Sequence, residues 1–588
     1  MSTVNIQING KPITVEKGTH ILGAAKQAGV KIPSLCAHPD LDAWAACGIC
    51  VVKVANSRGV SPKLVRACAT ECVEGENYIT HDPELHKIRK TIIEMILADH
   101  PQNCLTCGRN GSCELQTLAA EFGIREIPYA RNVKNMPKDD STGAIVLDPS
   151  KCVQCGRCAQ VCQQLQNVWA LEFIGRGEKT RIAGAGDIVL NETPCIKCGQ
   201  CSAHCPVGAI YELDETGKLL AAIQNPDLTV VAQIAPAVRV AIGEEFGLEP
   251  GEITTGKIYA ALRAIGVDTV FDTNFAADLT IMEEGTEFVH RFTEKKNLPL
   301  ITSCCPAWVE YMEKYACDMI PNFSTAKSPQ QMQGAITKTY YAQTAKLDPA
   351  KIFSVSIMPC TAKKQEIKRS EDMFSSGYQD NDLVLTTREL ARLFKQFGID
   401  FKNIEPQKAD SPIGQYTGAG TIFGVTGGVM EAALRTAYSL VTGDELPNDA
   451  VDFTAVRGMD GIKTATVDVK GTPVRVAVAH GLKNVQTLLQ EVREARENGK
   501  EVPYHFIEVM ACKGGCIAGG GQPYGTEDEI RAKRIDGLYA DDKKSEFRKS
   551  HQNPDIKKIY ADFLEKPSSH KAHKLLHTHY VPRPTYKK

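Results

Sequence analysis

The chain has 588 residues, of which 43% are hydrophobic and 23% charged, with a formal net charge of −2. That length excludes a single hydrophobic core and points to roughly three to five domains, and the composition is that of a soluble globular protein. The near-neutral charge gives no electrostatic basis for binding nucleic acid or an anionic membrane, and no apolar run approaches the ~20 residues of a membrane span.

At the N-terminus Val4, Ile6 and Ile8 alternate with polar residues up to Asn9-Gly10, the pattern of a strand entering a hairpin. This start lacks the basic and apolar stretches of a signal peptide. A cytoplasmic chain is therefore expected, unless a partner subunit carries an export signal. In a reducing compartment the 22 cysteines favour metal binding over disulfides, and nearly all of them fall into ligand-like groups.

The first group is Cys36, Cys47, Cys50 and Cys68, in PSLCAHP, AACGIC and RACAT. A long gap, a C-x2-C pair and a distant fourth cysteine suit a [2Fe–2S] cluster in a loop, a variation on the plant-type ferredoxin spacing. The flanking strands and the helix-like Ile21–Ala28 fit the small β-rich domain that holds such loops. Cys72 competes with Cys68 for the fourth position. RACAT resembles the matching segment of related redox subunits, which implies Cys68.

Leu85, Ile88, Ile92, Met95 and Ile96 recur at helical spacing within Pro83–Asp99. That helix delivers His100 to Cys104, Cys107 and Cys113 in HPQNCLTCGRNGSC. Taken alone, H-x3-C-x2-C-x5-C suits a structural zinc as well as a cluster. The string resembles the [4Fe–4S] segment, with one histidine and three cysteine ligands, of [FeFe]-hydrogenases and of the large iron–sulfur subunit of respiratory complex I. With cluster motifs on both sides, a cluster is the expectation.

Residues 152–162 read CVQCGRCAQVC and residues 195–206 read CIKCGQCSAHCP, two C-x2-C-x2-C-x3-C runs. In two-cluster ferredoxins the fourth cysteine of each run crosses to the other cluster. Cys152, Cys155, Cys158 and Cys205 then hold one [4Fe–4S] centre, and Cys162, Cys195, Cys198 and Cys201 the second. The proline after the fourth cysteine is present as Pro206 and replaced by Gln163 in the first run, which leaves the ligands intact. Four clusters make a wire, with an electron partner at one end and two-electron chemistry at the other.

A new domain opens at the strand-like Thr229–Ile234, after a turn at Asn225-Pro226. Further strands are predicted at Gly266–Phe271, Leu298–Thr302 and Phe353–Met358. Their alternation with helical stretches predicts an α/β domain of two lobes with a site in the cleft. Three segments each follow a predicted strand: TSCCPAW at 302–308, MPCTAKKQE at 358–366 and EVMACKGGCIAGGGQP at 508–523. They resemble the three signature segments of [FeFe]-hydrogenases. With the front half, the resemblance covers nearly the whole chain, and it is closest to the large clostridial type and to catalytic subunits of multimeric NAD(P)-linked hydrogenases.

The resemblance implies reversible interconversion of protons, electrons and H2 at an H-cluster. Cys305, Cys360, Cys512 and Cys516 would hold its [4Fe–4S] cubane. Cys516 would bridge to a two-iron subsite with CO, CN and azadithiolate ligands. Three accessory [4Fe–4S] clusters and one [2Fe–2S] cluster complete the cofactors. Lys363 matches the family lysine that pairs with a cyanide, and Met358, Met510 and Phe423 would pack around the subsite. Gly514, Gly515 and Gly519–Gly521 permit close backbone approach. At Lys513 the family varies. The stretch at 418–433, GAGTIFGVTGGVMEAA, lacks a complete dinucleotide fingerprint and is expected to be backbone of this domain.

Cys304 is the implied proton carrier, passing protons on through Glu284, Glu287, Ser324 and Arg291. The i, i+3 and i, i+4 steps from Glu284 to Glu287 and on to Arg291 allow one helix face to carry all three. Cys317 is expected to be a buried hydrophobe.

The tail from 525 contains a charged helical portion and then His570, His573, His577 and His579. It resembles the segment that wraps the hydrogenase domain and is a separate small subunit in some relatives, so wrapping is favoured over metal binding. The fold class is multidomain α+β. A β-grasp [2Fe–2S] domain spans 1–81, a histidine/cysteine [4Fe–4S] domain 82–130, a two-cluster ferredoxin domain 131–225, the catalytic domain 226–524 and the wrapping segment 525–588.

The implied partners are ferredoxin, or flavin- and NAD(P)-binding iron–sulfur subunits with a lean toward the latter and toward electron bifurcation, together with hydrogenase maturation proteins. A hydrogen sensor, an assembly factor or an electron conduit without rapid turnover is the alternative. Retention of Cys304 and all four cubane ligands weighs against it.

Overall fold

The computed structural model describes residues 2–55, 62–447 and 450–586. Asn9 and Gly10 both have positive φ, at 52° and 78°, the conformation that joins Thr3–Ile8 to Lys11–Glu16 in a tight hairpin. The other strands of this five-stranded sheet are Val51–Ala55, Lys63–Arg66 and Asn77–Ile79, and Asn77–Ile79 runs parallel to the first strand. Helix Ile21–Gln27 covers the sheet, with Ile6, Ile8, Val15, Ile21, Val52 and Tyr78 buried between them. This is the β-grasp arrangement expected.

Helix Pro83–Asp99 starts at Asp82, whose carboxylate accepts the Leu85 amide, and has proline in its first turn. Its buried stripe runs through Leu85, Arg89 and Ile93, and Met95 is exposed. The rotation away from the predicted face follows from Arg89, whose guanidinium reaches under the helix to the Val51 carbonyl at 2.5 Å.

The ferredoxin segment has two short antiparallel strand pairs, Ile145–Leu147 with Ile210–Glu212 and Leu171–Ile174 with Arg181–Gly184. Its apolar interior is continuous with that of the second catalytic lobe, where Leu147, Val161, Trp308 and Val509 belong to one core.

The catalytic domain contains two four-stranded sheets. In the first, Thr269–Asp272, Thr229–Ile234, Ile352–Met358 and Leu383–Thr386 lie side by side and all parallel. In the second, Leu300–Ile301, Phe506–Met510 and Thr472–His480 are parallel, and Ile462–Val469 is antiparallel at the edge. Strands buried on both faces read as continuous apolar runs, which is why those at Thr229–Ile234, Gly266–Phe271, Leu298–Thr302 and Phe353–Met358 were predicted.

Their ends were not. The Gly266–Phe271 strand begins only at Thr269, because Gly266 has a φ of 105° and Asp268 turns its carboxylate onto the Val230 amide. The Leu298–Thr302 strand pairs only at Leu300–Ile301; Pro299 has no N–H to give to a ladder.

Helix Thr273–Glu294 and helix Gly428–Thr442 pack together beside the cleft. The C-terminal segment, with helices Asp528–Lys544, Pro554–Ile559 and His570–Leu576, lies over both. Among the described residues no helix is long and apolar enough to cross a membrane.

Candidate metal centres and active site

Cys36, Cys47, Cys50 and Cys68 converge at one edge of the N-terminal sheet. Hydrogen bonds from Cys47 and then Cys68 hold the Cys36 thiol below its ordinary range, and Cys68 likewise lowers Cys50. Cys72 lies outside this exchange; burial alone pushes its thiol up to about 11. Of the two candidates for the fourth position, Cys68 is therefore the one beside the other three.

His100, at the C-terminal end of the Pro83–Asp99 helix, faces a pocket with Cys104, Cys107 and Cys113. Its Nδ1 is buried without a hydrogen-bond partner, and burial lowers the imidazole to about 4. Cys107 Sγ lies 2.5 Å from where a Cβ at Gly208 would be. A neutral imidazole and three free thiols around one pocket fit a metal group.

In the ferredoxin segment the two runs fold alike. Gln154 and Gly156 repeat, with positive φ, at Lys197 and Gly199. The amides of Gln154 and Lys197 donate to Cys152 and Cys195 sulfurs at 3.3 and 3.4 Å. Cys162, Cys195, Cys198 and Cys201 surround one small apolar pocket. Burial and the nearness of Cys205 push up the Cys152 and Cys155 thiols, so Cys205 lies beside the first run, where the crossed grouping needs it. Thiolates so placed and so desolvated fit clusters better than they fit isolated thiols.

The active-site pocket lies where parallel strands of both sheets end, the usual place for a site in α/β folds. Strand Thr229–Ile234 runs into Ala235-Pro236, and Ile352–Met358 into Cys360. Phe506–Met510 runs into Cys512, and Leu300–Ile301 into Cys304-Cys305. Cys305, Cys360, Cys512 and Cys516 all line this one pocket, with Met358, Met510 and Phe423. All four thiols are pushed up by burial first and then, for Cys360, Cys512 and Cys516, by one another. Four free, soft donors in an apolar wall fit a cubane, and the remaining space beside Cys304 and Cys516 fits a group attached to it.

Lys363 is buried; its ammonium donates to the Cys304 carbonyl at 3.1 Å and to Glu366 at 2.8 Å. Burial disfavours its charge, but Glu366 outweighs burial and raises its pKa. Gly515, with a φ of 96°, lies where a Cβ would come within 2.7 Å of the Thr426 amide. Gly520 is closer still to its neighbours, its Cβ position falling well inside contact distance of the Cys198 carbonyl. The glycine run thus seats the second ferredoxin loop directly against the active site.

Burial, and then Glu284, pushes the Cys304 thiol well above its ordinary range. Glu284 is itself raised to about 8 by burial, partly opposed by a hydrogen bond with Ser324. The single hydrogen of the Ser324 hydroxyl is donated to Glu287 at 3.1 Å, so Ser324 meets Glu284 with its oxygen, and Arg291 donates to the other Glu287 oxygen at 2.5 Å. Ser324, Glu287 and Arg291 are thus joined by hydrogen bonds, and Cys304 lies close enough to Glu284 to feel its charge.

Several residues at the site carry no sequence signal. The Gln200 amide donates to Cys512 Sγ at 3.1 Å and to the Ala518 carbonyl at 2.9 Å, bridging two cysteine groups 312 residues apart. Glu508, raised to about 7 by burial, accepts the amides of Gly427 and Met430. That carboxylate fills the helix start within the glycine-rich 418–433 stretch, which is backbone of the pocket wall as expected.

Cys317 departs from the expectation. It is half-buried, and its thiol donates to the Glu313 carbonyl at 3.0 Å, a polar contact that a purely apolar site would not offer. Among the described residues the histidine-containing group close enough to share a single ion is His38, Asp40 and His204, not the tail histidines. There Asp40 is already held by Arg531 and Lys513.

The family described as iron only hydrogenase large subunit, C-terminal domain, matches residues 228–520, and iron hydrogenase small subunit matches 528–583. A 2Fe-2S iron–sulfur cluster binding domain matches 1–81, an NADH-ubiquinone oxidoreductase-G iron–sulfur binding region 89–128, and a 4Fe-4S dicluster domain 151–209. The NADP-reducing hydrogenase subunit HndD of Solidesulfovibrio fructosivorans is 47% identical, over 99% of this chain and 100% of that one. Iron hydrogenase 1 of Clostridium pasteurianum is 39% identical over 98% and 99%. An apo [FeFe]-hydrogenase structure from Chlamydomonas reinhardtii matches 63% of this chain and 100% of its own, with a TM-score of 0.56 at 42% identity. The chain belongs to the iron-only hydrogenases, as a catalytic subunit that carries accessory iron–sulfur domains.

Proposed function

We propose that this hydrogenase works in the cytoplasm as the hydrogen-converting subunit of an NAD(P)-linked complex. Electrons would pass along its cluster chain and protons through Cys304, Glu284, Ser324, Glu287 and Arg291. The division at 1–81, 82–130, 131–225, 226–524 and 525–588 belongs to this reading. It is supported by the separate N-terminal sheet and core.

The observation that carries it is the position of Cys304, which shares a pocket with Cys305, Cys360, Cys512 and Cys516 and stands next to Glu284. Cys305, Cys360, Cys512 and Cys516 would hold an H-cluster there, which would supply the iron for making and breaking the H–H bond. Cys304 holds a proton on Sγ at the pocket wall and exchanges it with Glu284, which burial keeps protonated at neutral pH. Ser324 links Glu284 to Glu287 by rotation of one hydroxyl. Lys363 presents a fixed positive charge beside Cys304, and Met358, Met510 and Phe423 keep water out.

For electrons, the Cys162, Cys195, Cys198 and Cys201 group adjoins the active site through Gly520 and Gln200. The Cys152, Cys155, Cys158 and Cys205 group comes next. Both outer centres lead to it: His38, near Cys36, meets His204, near Cys205, with ring centroids 4.4 Å apart, and Cys107 lies against Gly208. Two entry points suit a chain that serves a flavin- and NAD(P)-binding partner and ferredoxin together, and the NADP-reducing name of the relative above supports the nicotinamide arm. Loading of the two-iron subsite falls to maturation proteins.

The test is infrared spectroscopy of anaerobically matured protein, with hydrogen evolution from a reduced dye, for wild type and Cys304→Ser. Expected are carbonyl and cyanide bands in both and turnover in wild type alone. Absence of the bands in matured protein, or wild-type turnover in the variant, would overturn the reading.

A further inference from the structure

The relay does not end at Arg291. Glu287 Oε2, which takes the Ser324 hydroxyl, also accepts the Thr325 amide at 3.1 Å and the Thr325 hydroxyl at 3.4 Å. That hydroxyl lies 2.8 Å from Nδ1 of His577, a residue of the C-terminal segment. On its other side His577 Nε2 is 3.1 Å from Glu283 Oε2. Glu283 is fully buried, and its carboxylate also accepts the Tyr560 hydroxyl and the Ser568 amide. Backbone pairing with Ala326 and the Lys327 amide on the Leu576 carbonyl fix the imidazole in this position. The ring is 6% exposed, but His573, which is open to solvent, stacks on it with centroids 4.5 Å apart.

We propose that His577 is the outer proton acceptor of the relay, reached from Glu287 through the Thr325 hydroxyl. This rests on the Cys304-to-Glu287 path above. The carboxylate of Glu283 takes the Nε2–H, which leaves the Nδ1 lone pair facing Thr325. A proton leaving the Glu287 carboxyl forms an O–H bond to Thr325 Oγ as the original Thr325 O–H bond breaks and an N–H bond forms at His577 Nδ1. No electrons move, and the imidazolium that results is paired with Glu283. The reverse sequence brings protons in during hydrogen evolution. An imidazole takes a proton at one ring nitrogen while the other keeps its own hydrogen bond, so a histidine here can hold the transferred proton where a serine or threonine cannot. The buried carboxylate plays the part of the orienting acid in a catalytic triad.

The groups facing His577 are Glu283 and, beyond Thr325, Glu287 from the long helix, with His573 from its own helix. Tyr560 lies behind Glu283. Lys327, on the adjoining segment, turns its ammonium to Asp380 and Ser375. Arg369 and Asp372 engage Thr578 and His579 instead. Glu283 is therefore the charge that directly offsets a protonated ring.

The test compares His577→Gln, Thr325→Val and Thr325→Ser in the matured holoenzyme. A glutamine side chain at this position would keep hydrogen bonds to both neighbours and yet not titrate, so a purely structural His577 predicts no effect. Expected is a loss of about 10-fold or more in hydrogen evolution near pH 7 for His577→Gln and Thr325→Val. Both should alter the pH–rate profile in the same way, with infrared bands and melting temperature unchanged. Thr325→Ser, which keeps the hydroxyl, should recover the rate and the profile lost in Thr325→Val. A wild-type rate and profile in His577→Gln overturns the proposal. If that variant proves unstable, equal rates and profiles in Thr325→Val and Thr325→Ser overturn it just as well. An inactive Cys304→Ser beside a normal His577→Gln sinks this branch and leaves the inner path standing; an active Cys304→Ser sinks the path itself.

Discussion

Asp40 and Arg531 are joined by two hydrogen bonds across 491 residues of chain, with 1% of each side chain exposed. Asp40 also takes the Lys513 ammonium at 2.7 Å, so one carboxylate ties the N-terminal domain to the third signature segment and to the C-terminal helix. Burial alone would raise its pKa, but His204, Arg531 and Lys513 together depress it.

Asp40→Asn leaves two buried or half-buried cations facing a neutral amide. The expected cost is about 3–5 kcal/mol, seen calorimetrically as an earlier transition of the N-terminal domain. In wild type the same stabilisation is present above the unfolded carboxyl value of about 3.9 and is lost as pH falls below it toward the depressed folded value. The variant should be insensitive to that window, and equal acid sensitivity in both proteins would refute the coupling.

Glu284 has the opposite sign. Its carboxyl is lifted to about 8 from 4.5, so between those values the folded chain keeps a proton that the unfolded chain releases. Stability therefore declines as pH rises through this window, by on the order of a few kcal/mol in all. Glu284→Gln should flatten that decline in melting temperature while cutting turnover by about 100-fold or more.

Cys68→Ser and Cys72→Ser separate the two candidates for the fourth [2Fe–2S] ligand. Electron paramagnetic resonance of the reduced protein should lose or distort the [2Fe–2S] signal in the first variant and keep it in the second. The reverse result would show that the loop rearranges on binding iron.

Gly520→Ala would place a methyl group well inside contact distance of the Cys198 carbonyl, with the backbone of Gly199 close behind. Neither neighbour is a flexible side chain, so the ferredoxin loop must shift. A loss of about 1–3 kcal/mol is expected, along with slower reduction of the inner ferredoxin cluster in rapid-mixing experiments. Wild-type stability and kinetics would show that the contact has slack.

The cysteine groups were legible because a cluster demands its ligands at short, repeated spacings, and because the turns between them recur in both runs. The hairpin at Asn9-Gly10 and the helix at Pro83–Asp99 were legible from local rules alone. What escaped depends on residues far apart in the chain. Arg89 rotates its helix by bonding to Val51, Gln200 meets Cys512, and Glu508 caps the helix that begins at Gly428. His577 looked like one histidine of four in a polar tail. Only the pairing of Ala326 with His577 turns that ring toward Thr325 and Glu283.

The pairing of Asp40 with Arg531 also has a consequence in time. Translation proceeds at roughly 5–20 residues per second, so Arg531 follows Asp40 from the ribosome by on the order of 25–100 s. The domain that carries Asp40 is thus fastened long after it is made. Throughout that interval Asp40 is without the two cations that hold it, which only the third signature segment and the C-terminal helix supply.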